Sequence, residues 1–278
     1  MHLSAYLDRI GFAGSPEPDL PTLKRLSARH LHSVPYENLD VQLGRPLTTD
    51  PAAAYARIVG TGRRGGWCYE MNGLFGWALK EIGFNVTRLA SGVGRSMKGD
   101  TALGNHLILR VDLEDGAILA DVGLANGPTG PYPIVEGAFS IDGRDFRLER
   151  MDDGFWRFHN HASGMAPNFD FKPEPADDEA ALARACAVLQ SDPASPFKQN
   201  LVCMRFVEGG ENQLRGRVLR VVRGDQASER VLESADDFVE TLEADFGIVE
   251  PAAVGLWPKV CARHDALLAD KAAAPAAP

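Results

Sequence analysis

The hydrophobic rhythm of this chain changes at Gly83, and the change requires a helical part followed by a β part. Before it, Met71, Leu74, Phe75, Trp77, Ala78, Leu79 and Ile82 recur at spacings of three and four, the repeat of an amphipathic helix. Gly83 supplies the stop. Beyond it, residues 85–90 and 106–113 are rich in branched side chains and read as strands. Glu114-Asp115-Gly116 is a hairpin turn that returns the chain into residues 117–122.

The flanking sequence yields to the same arguments. Tyr6, Leu7 and Ile10, then Leu23, Leu26 and Leu31, predict two helices interrupted by Pro16, Pro18 and Pro21 and stopped by Pro35. A turn is expected at residues 35–39. Asp50 before Pro51 caps a third short helix over 51–59. Strands at 138–141, 144–150 and 154–158 extend the β part to a closed or nearly closed barrel. Residues 160–178 have the composition of a linker. A helix over 179–189, strands at 201–207 and 217–222, and a helix over 236–246 complete a mixed third part, with a tail expected to fray over 271–278. The fold class is therefore α+β with several lobes: 1–84 helical, 85–190 a β-barrel with an interdomain helix, and 191–278 mixed.

Composition narrows the function. With 29 basic against 38 acidic residues the net charge is -9, which argues against nucleic acid or an anionic membrane as partner. The first residues lack the form of a secretory signal and no apolar run is long enough to span a bilayer, so a cytoplasmic location is expected. Cys68, Cys186, Cys203 and Cys261 are widely spaced without a C-x-x-C pair, which predicts reduced thiols rather than zinc ligands or disulfides. His159 and His161 lack a third ligand, so no metal is expected. Gly92-x-Gly94 lacks the context of a dinucleotide fingerprint, and no P-loop lysine follows a glycine run.

Chemistry concentrates in Arg63-Arg64-Gly65-Gly66-Trp67-Cys68-Tyr69-Glu70-Met71-Asn72. A thiol in the first turn of a helix faces unpaired backbone N–H groups and the positive end of the helix dipole, which favour thiolate. Those N–H groups are also candidates to stabilise an oxyanion. Gly65-Gly66 is expected to permit unusual backbone angles and close approach of a substrate. A nucleophilic cysteine needs a base and a group to orient it. His106 and Asp121 lie on the two arms of the hairpin and fit these roles, although the register that would face them together is open. The plainer alternative is a buried cysteine acting as a small hydrophobe, with Asp121 merely ending a strand.

These residues resemble the arylamine N-acetyltransferases: Arg64-Gly65-Gly66-Trp67-Cys68 with Asn72, His106, and Asp121-Val122-Gly123 follow that family's pattern. Tyr6-x-x-Arg9-Ile10-Gly11, residues 34–40 and Ser195-Pro196-Phe197 match in the same order. The resemblance implies a helical bundle, a β-barrel and an α/β lid around a cysteine-protease-like core. It implies acetyl-CoA as co-substrate, no permanently bound cofactor, and an aromatic amine or hydrazine as acceptor. Cys68, His106 and Asp121 would be the triad, and Arg9, Glu37 and Arg64 a buried ionic support. Tyr36, Val93 and Leu124 would line the acceptor pocket. The loop 100–105, with Leu103 and Gly104, and Gly127 and Gly130 flank the triad strands and are candidates for CoA contact. Where the family often has Asp-Val-Gly-Phe-Gly, this chain has Leu124 and Ala125, a departure that bears on acceptor preference. Rival chemistries for the same residues are a thiol hydrolase, a transglutaminase-like acyl transfer, a macrolactam-forming amide synthase, or a small-molecule binder without activity. The sequence leaves the oligomeric state open.

Overall fold

In the computed structural model, which describes residues 1–273, the proline-rich segment separates helices α1 (Leu3–Arg9) and α2 (Leu20–Ser33) as expected. Asp19 caps α2 by accepting from Thr22 N. Strand β1 (Tyr36–Glu37) and the short helix α3 (Leu39–Leu43) follow, and then α4 (Pro51–Thr61), capped by Asp50 through Ala52 N. Helix α5 (Cys68–Ile82) ends at Gly83, whose φ of 109° lies in the left-handed region that favours glycine. α5 is the helix its spacing predicts, and it is buried along most of its length. Cys68 to Leu79 are buried apart from half-buried Trp77, because α4 covers one side and the β part the other.

The larger sheet begins with β2 (Asn85–Val93). The short helix α6 (Arg95–Lys98) leads into β3 (His106–Leu113) and β4 (Gly116–Ala120). It continues through β5 (Tyr132–Pro133), β6 (Gly137–Ile141), β7 (Arg144–Arg150), β8 (Trp156–His159) and β9 (Asn168–Phe171). The eight strands run in the order β5-β4-β3-β2-β9-β8-β7-β6, antiparallel throughout. The sheet curls without closing. Its edges β5 and β6 share no hydrogen-bond ladder and meet through the stacked rings of Tyr132 and Phe139, 4.8 Å apart. The expected barrel is thus an open one.

β3 is buried on both faces, which is why its sequence is a continuous apolar run. Leu107, Leu109 and Val111 pack toward α5, while Ile108 joins Leu89, Leu119 and a group of phenylalanines inside the curl. β9 was hidden in the segment expected to be a linker. It places Phe169 and Phe171 inside the curl, and its buried Asp170 is bound by Arg157 at 2.7 and 2.8 Å.

After α7 (Asp178–Ser191) and α8 (Pro196–Gln199) come β10 (Val202–Val207), β11 (Gly210–Arg215), β12 (Val218–Arg223) and β13 (Gln226–Val231). The second sheet has the order β1-β10-β11-β12-β13. The turn expected at 35–39 is therefore a strand, Tyr36 pairing with Met204 and Glu37 with Cys203. Polar β11 and wholly exposed β13 carried no hydrophobic pattern to predict them. α9 (Ala235–Phe246) packs Phe238, Leu242 and Phe246 into this region, and α10 (Trp257–Ala273) follows it. The tail expected to fray from Lys271 is helical to Ala273; residues 274–278 lie outside the described residues. No described helix is long and apolar enough to cross a membrane.

Candidate active site

The turn before α5 is zipped to β1: Gly66 N donates to Pro35 O and Glu37 N to Gly66 O. Neither Gly65 nor Gly66 has positive φ, contrary to the expectation of unusual backbone angles. Their reason is packing. A Cβ on Gly65 would collide with the Pro35 carbonyl, and one on Gly66 would lie 2.8 Å from Glu70 Cβ. The close approach is by the protein's own atoms, the Pro35 backbone at Gly65 and the Glu70 side chain at Gly66, and it fixes where Cys68 leaves the turn.

The hairpin register answers the question the sequence left open. Leu109 pairs with Ala120, so one step further Asp121 lies beside Ile108, on the inner face it shares with His106. His106 Nε2 and Asp121 Oδ2 are 2.7 Å apart, which leaves Nδ1 for a second partner, and the Cys68 thiol lies close enough to favour the ring's cation. All three residues are buried. Burial opposes the imidazolium, but the Asp121 carboxylate and then Cys68 outweigh it and push His106 up to about 10. Burial opposes the Asp121 charge as well, yet His106, the Asn72 amide and the Gly123 N–H hold its carboxyl below the usual range.

Asn72 is the residue that joins helix to hairpin. Its Nδ2 donates to Leu107 O and Asp121 Oδ1, both at 2.7 Å, and its Oδ1 accepts from Val122 N at 2.9 Å. It was quoted in the motif without a role, although its place four residues after Cys68 puts both on one face of α5. Gly123 permits the contact: a Cβ there would lie 2.7 Å from Asn72 Nδ2 and 2.8 Å from Cys68 Cα.

Beneath the turn lies a buried ionic cluster. Arg64 meets Glu37 at 2.9 Å, Asp40 at 3.1 Å and Glu250 at 2.6 Å. Arg57 meets Glu37 at 3.2 Å and Asp40 at 3.0 Å and pairs with Glu70. Burial, partly offset by Arg57 and reinforced by Glu37, pushes the Glu70 carboxyl up to about 7. Glu37 and Arg64 are in this cluster as the resemblance implies. Arg9 is not: it donates to the carbonyls of Ser33, Arg64 and Ile58, supporting backbone rather than pairing with a carboxylate. Arg57, Asp40 and Glu250 were missed, since nothing in their local sequence signals a distant partner.

Cys68 and His106 open into a cavity of about 250 Å³ whose wall includes Tyr36, Val93, Leu124 and Phe197. Asn105 and Leu189 separate it from an outer cavity of about 650 Å³ that Leu103 lines. Gly104 is used by the fold, its φ of 89° and close approach to the α7 backbone excluding a side chain. Gly127 packs on Leu124, and Gly130 has no close neighbour. His159 is taken up by Glu149 and Arg147, and His161 by the Asn126 carbonyl.

Comparison with known proteins gives consistent results. A family model described as N-acetyltransferase matches residues 19–253. The arylamine N-acetyltransferase of Mycolicibacterium smegmatis is 34% identical over 255 residues, covering 89% of this chain and 92% of the relative. The solved M. smegmatis arylamine N-acetyltransferase superposes with a TM-score of 0.83 at 33% identity, covering 94% of this chain and 97% of the other. The Mycobacterium marinum arylamine N-acetyltransferase, solved in complex with CoA, gives 0.83 at 29% identity, with 95% and 99% covered.

Proposed function

This chain belongs to the arylamine N-acetyltransferase family, and from that premise we propose that it transfers the acetyl group of acetyl-CoA to an aromatic amine or hydrazine through a thioester on Cys68. The observation that carries this reading is the buried His106–Asp121 pair beside Cys68, with Cys68 and His106 both on the wall of a largely apolar cavity of about 250 Å³. In the first step the Cys68 thiolate attacks the thioester carbonyl. CoA thiolate leaves and takes a proton from the His106 imidazolium. In the second step the amine attacks acetyl-Cys68, the C–S bond breaks, and neutral His106 takes the proton the amine loses. The two steps return Cys68 and His106 to their starting forms.

Asp121 keeps Nε2 of the ring occupied and stabilises its cation, so that Nδ1 faces sulfur. The N–H groups at the start of α5 are suited to the oxyanion. The acceptor ring would lie among Tyr36, Val93 and Leu124. We read residues 1–84, 85–190 and 191–278 as three lobes, with the cysteine helix set against the hairpin in a cysteine-protease-like manner and the third lobe keeping water from the thioester.

Steady-state kinetics test the order of events. Parallel double-reciprocal lines, with one equivalent of CoA released before any amine is added, are expected. Intersecting lines with no CoA release until the amine binds would refute a free acetyl-enzyme.

A further inference from the structure

The inner cavity is largely apolar. Apart from His106, Lys98 is the charged side chain on its wall, and Lys98 also lines the outer cavity, so it stands where the two meet. Among the described residues its Nζ has neither a hydrogen-bond nor an ion-pair partner, whereas the neighbouring Asn105 amide is spent on Val93 N and O at 2.8 and 3.0 Å. The backbone that carries Lys98 is fixed. Arg95 binds Asp100 at 2.7 Å, Asp153 at 2.8 Å and Asp170 at 3.3 Å, and its guanidinium lies 3.6 Å from the centre of the Phe155 ring. The Thr101 hydroxyl holds the Lys98 carbonyl at 2.6 Å. A free ammonium is thus held on an anchored turn at the mouth of an apolar pocket.

We infer that Lys98 selects acceptors whose aromatic ring carries a carboxylate. With the reacting amine beside Cys68 and the ring in the apolar pocket, a substituent on the far side of the ring points toward the mouth. There it meets the lysine. Further out, the wall of the outer cavity carries Asp100, Glu174, Asp177 and Asp178 against Lys172 and Arg184, and Arg184 already faces Asp177 at 3.7 Å. The carboxylates there outnumber these two cations, so the favourable place for an anion is the junction. This inference rests on the proposed acetyl-Cys68 reaction and names its acceptor class.

The test compares kcat/KM for 4-aminobenzoate and 4-aminobenzamide, which share a ring and differ in charge, in the parent, Lys98→Gln and Lys98→Arg proteins. The carboxylate-to-amide ratio should fall about two- to fivefold in Lys98→Gln, as an exposed ion pair warrants. Lys98→Arg should restore it, and salt should narrow the parent's ratio. A ratio that Lys98→Gln leaves unmoved overturns the inference. So does slower acetylation of Cys68 by acetyl-CoA without a change in ratio, which would give the lysine to a phosphate of the donor. Failure of the parent to acetylate Cys68 at all overturns the functional reading, and with it this one; acetylation with an unmoved ratio overturns the role of Lys98 alone.

Discussion

The two sides of the first turn of α5 treat charge in opposite ways. Toward the hairpin, the Cys68 side holds one imidazole and one carboxylate, His106 and Asp121, steadied by neutral donors from Asn72 and Gly123. Beneath the turn, Arg45, Arg57 and Arg64 interlock with Glu37, Asp40, Glu70 and Glu250. In the cluster each carboxylate meets at least one arginine, and arginine does not release its proton, so the guanidiniums store geometry even where burial pushes the Glu70 carboxyl up to about 7. On the thiol side a histidine can both give and take a proton. The difference teaches that the chain separates the machinery that holds Cys68 in place from the machinery that makes it react, although both meet within one helical turn.

Changing each side alone should break the comparison in opposite directions. Asp121→Asn keeps the shape but removes the charge that stabilises the imidazolium, and should lower transfer about 10²–10⁴-fold, measured as kcat/KM for acetyl-CoA. Arg57→Met should act on folding, leaving the buried Glu70 and Glu37 short of a partner and lowering stability by about 3–5 kcal/mol in urea titration. If Arg57→Met lowered the rate of fully folded protein as far as Asp121→Asn does, the two sides would not be separable.

Acidity sharpens the same contrast. His106 is raised from 6.5 to about 10, so the stability its pairing contributes is complete below pH 6.5 and is lost as pH rises through about 10. The stability gap between the parent and Asp121→Asn should therefore be flat between the ordinary carboxylate and imidazole values of 3.8 and 6.5, narrow on the alkaline side toward about 10 as His106 loses its proton, and narrow on the acid side as Asp121 takes one up, as thermal melts across that range would show. A smaller effect is expected at the acceptor wall. Leu124→Phe adds a ring that can stack on an arylamine, and should shift relative kcat/KM among arylamines by about tenfold at most. A collapse of Cys68 acetylation instead would move Leu124 to the donor side.

How far the sequence reveals this arrangement depends on whether the signal is local. The helix starting at Cys68 and the hairpin of His106 and Asp121 announce themselves by periodicity and a turn, and the hairpin register then places both residues on the inner face. Asn72 sits at a legible spacing from Cys68, but its partners belong to the hairpin, and only tertiary structure identifies them. The pairing of Tyr36 with Met204 is illegible for a different reason: a two-residue strand has no period, and its partner lies far along the chain. Arg57 falls between these cases, an ordinary helix residue until Glu37, Asp40 and Glu70 converge on it. The glycines of the cysteine turn were legible as a requirement but misread in cause, because a close contact and a left-handed conformation demand the same residue.

Two other buried cysteines provide the control for the central claim. Burial pushes the Cys186 thiol up to about 12 and raises Cys203 well above its ordinary value, so neither is prepared to act as a nucleophile. Intact mass and peptide mapping after incubation with acetyl-CoA alone should find a single acetyl group on Cys68, discharged when an arylamine is added and absent from Cys68→Ala. A protein that stays unmodified while forming acetylated amine, or a Cys68→Ala protein that transfers at the parent rate, would contradict the account.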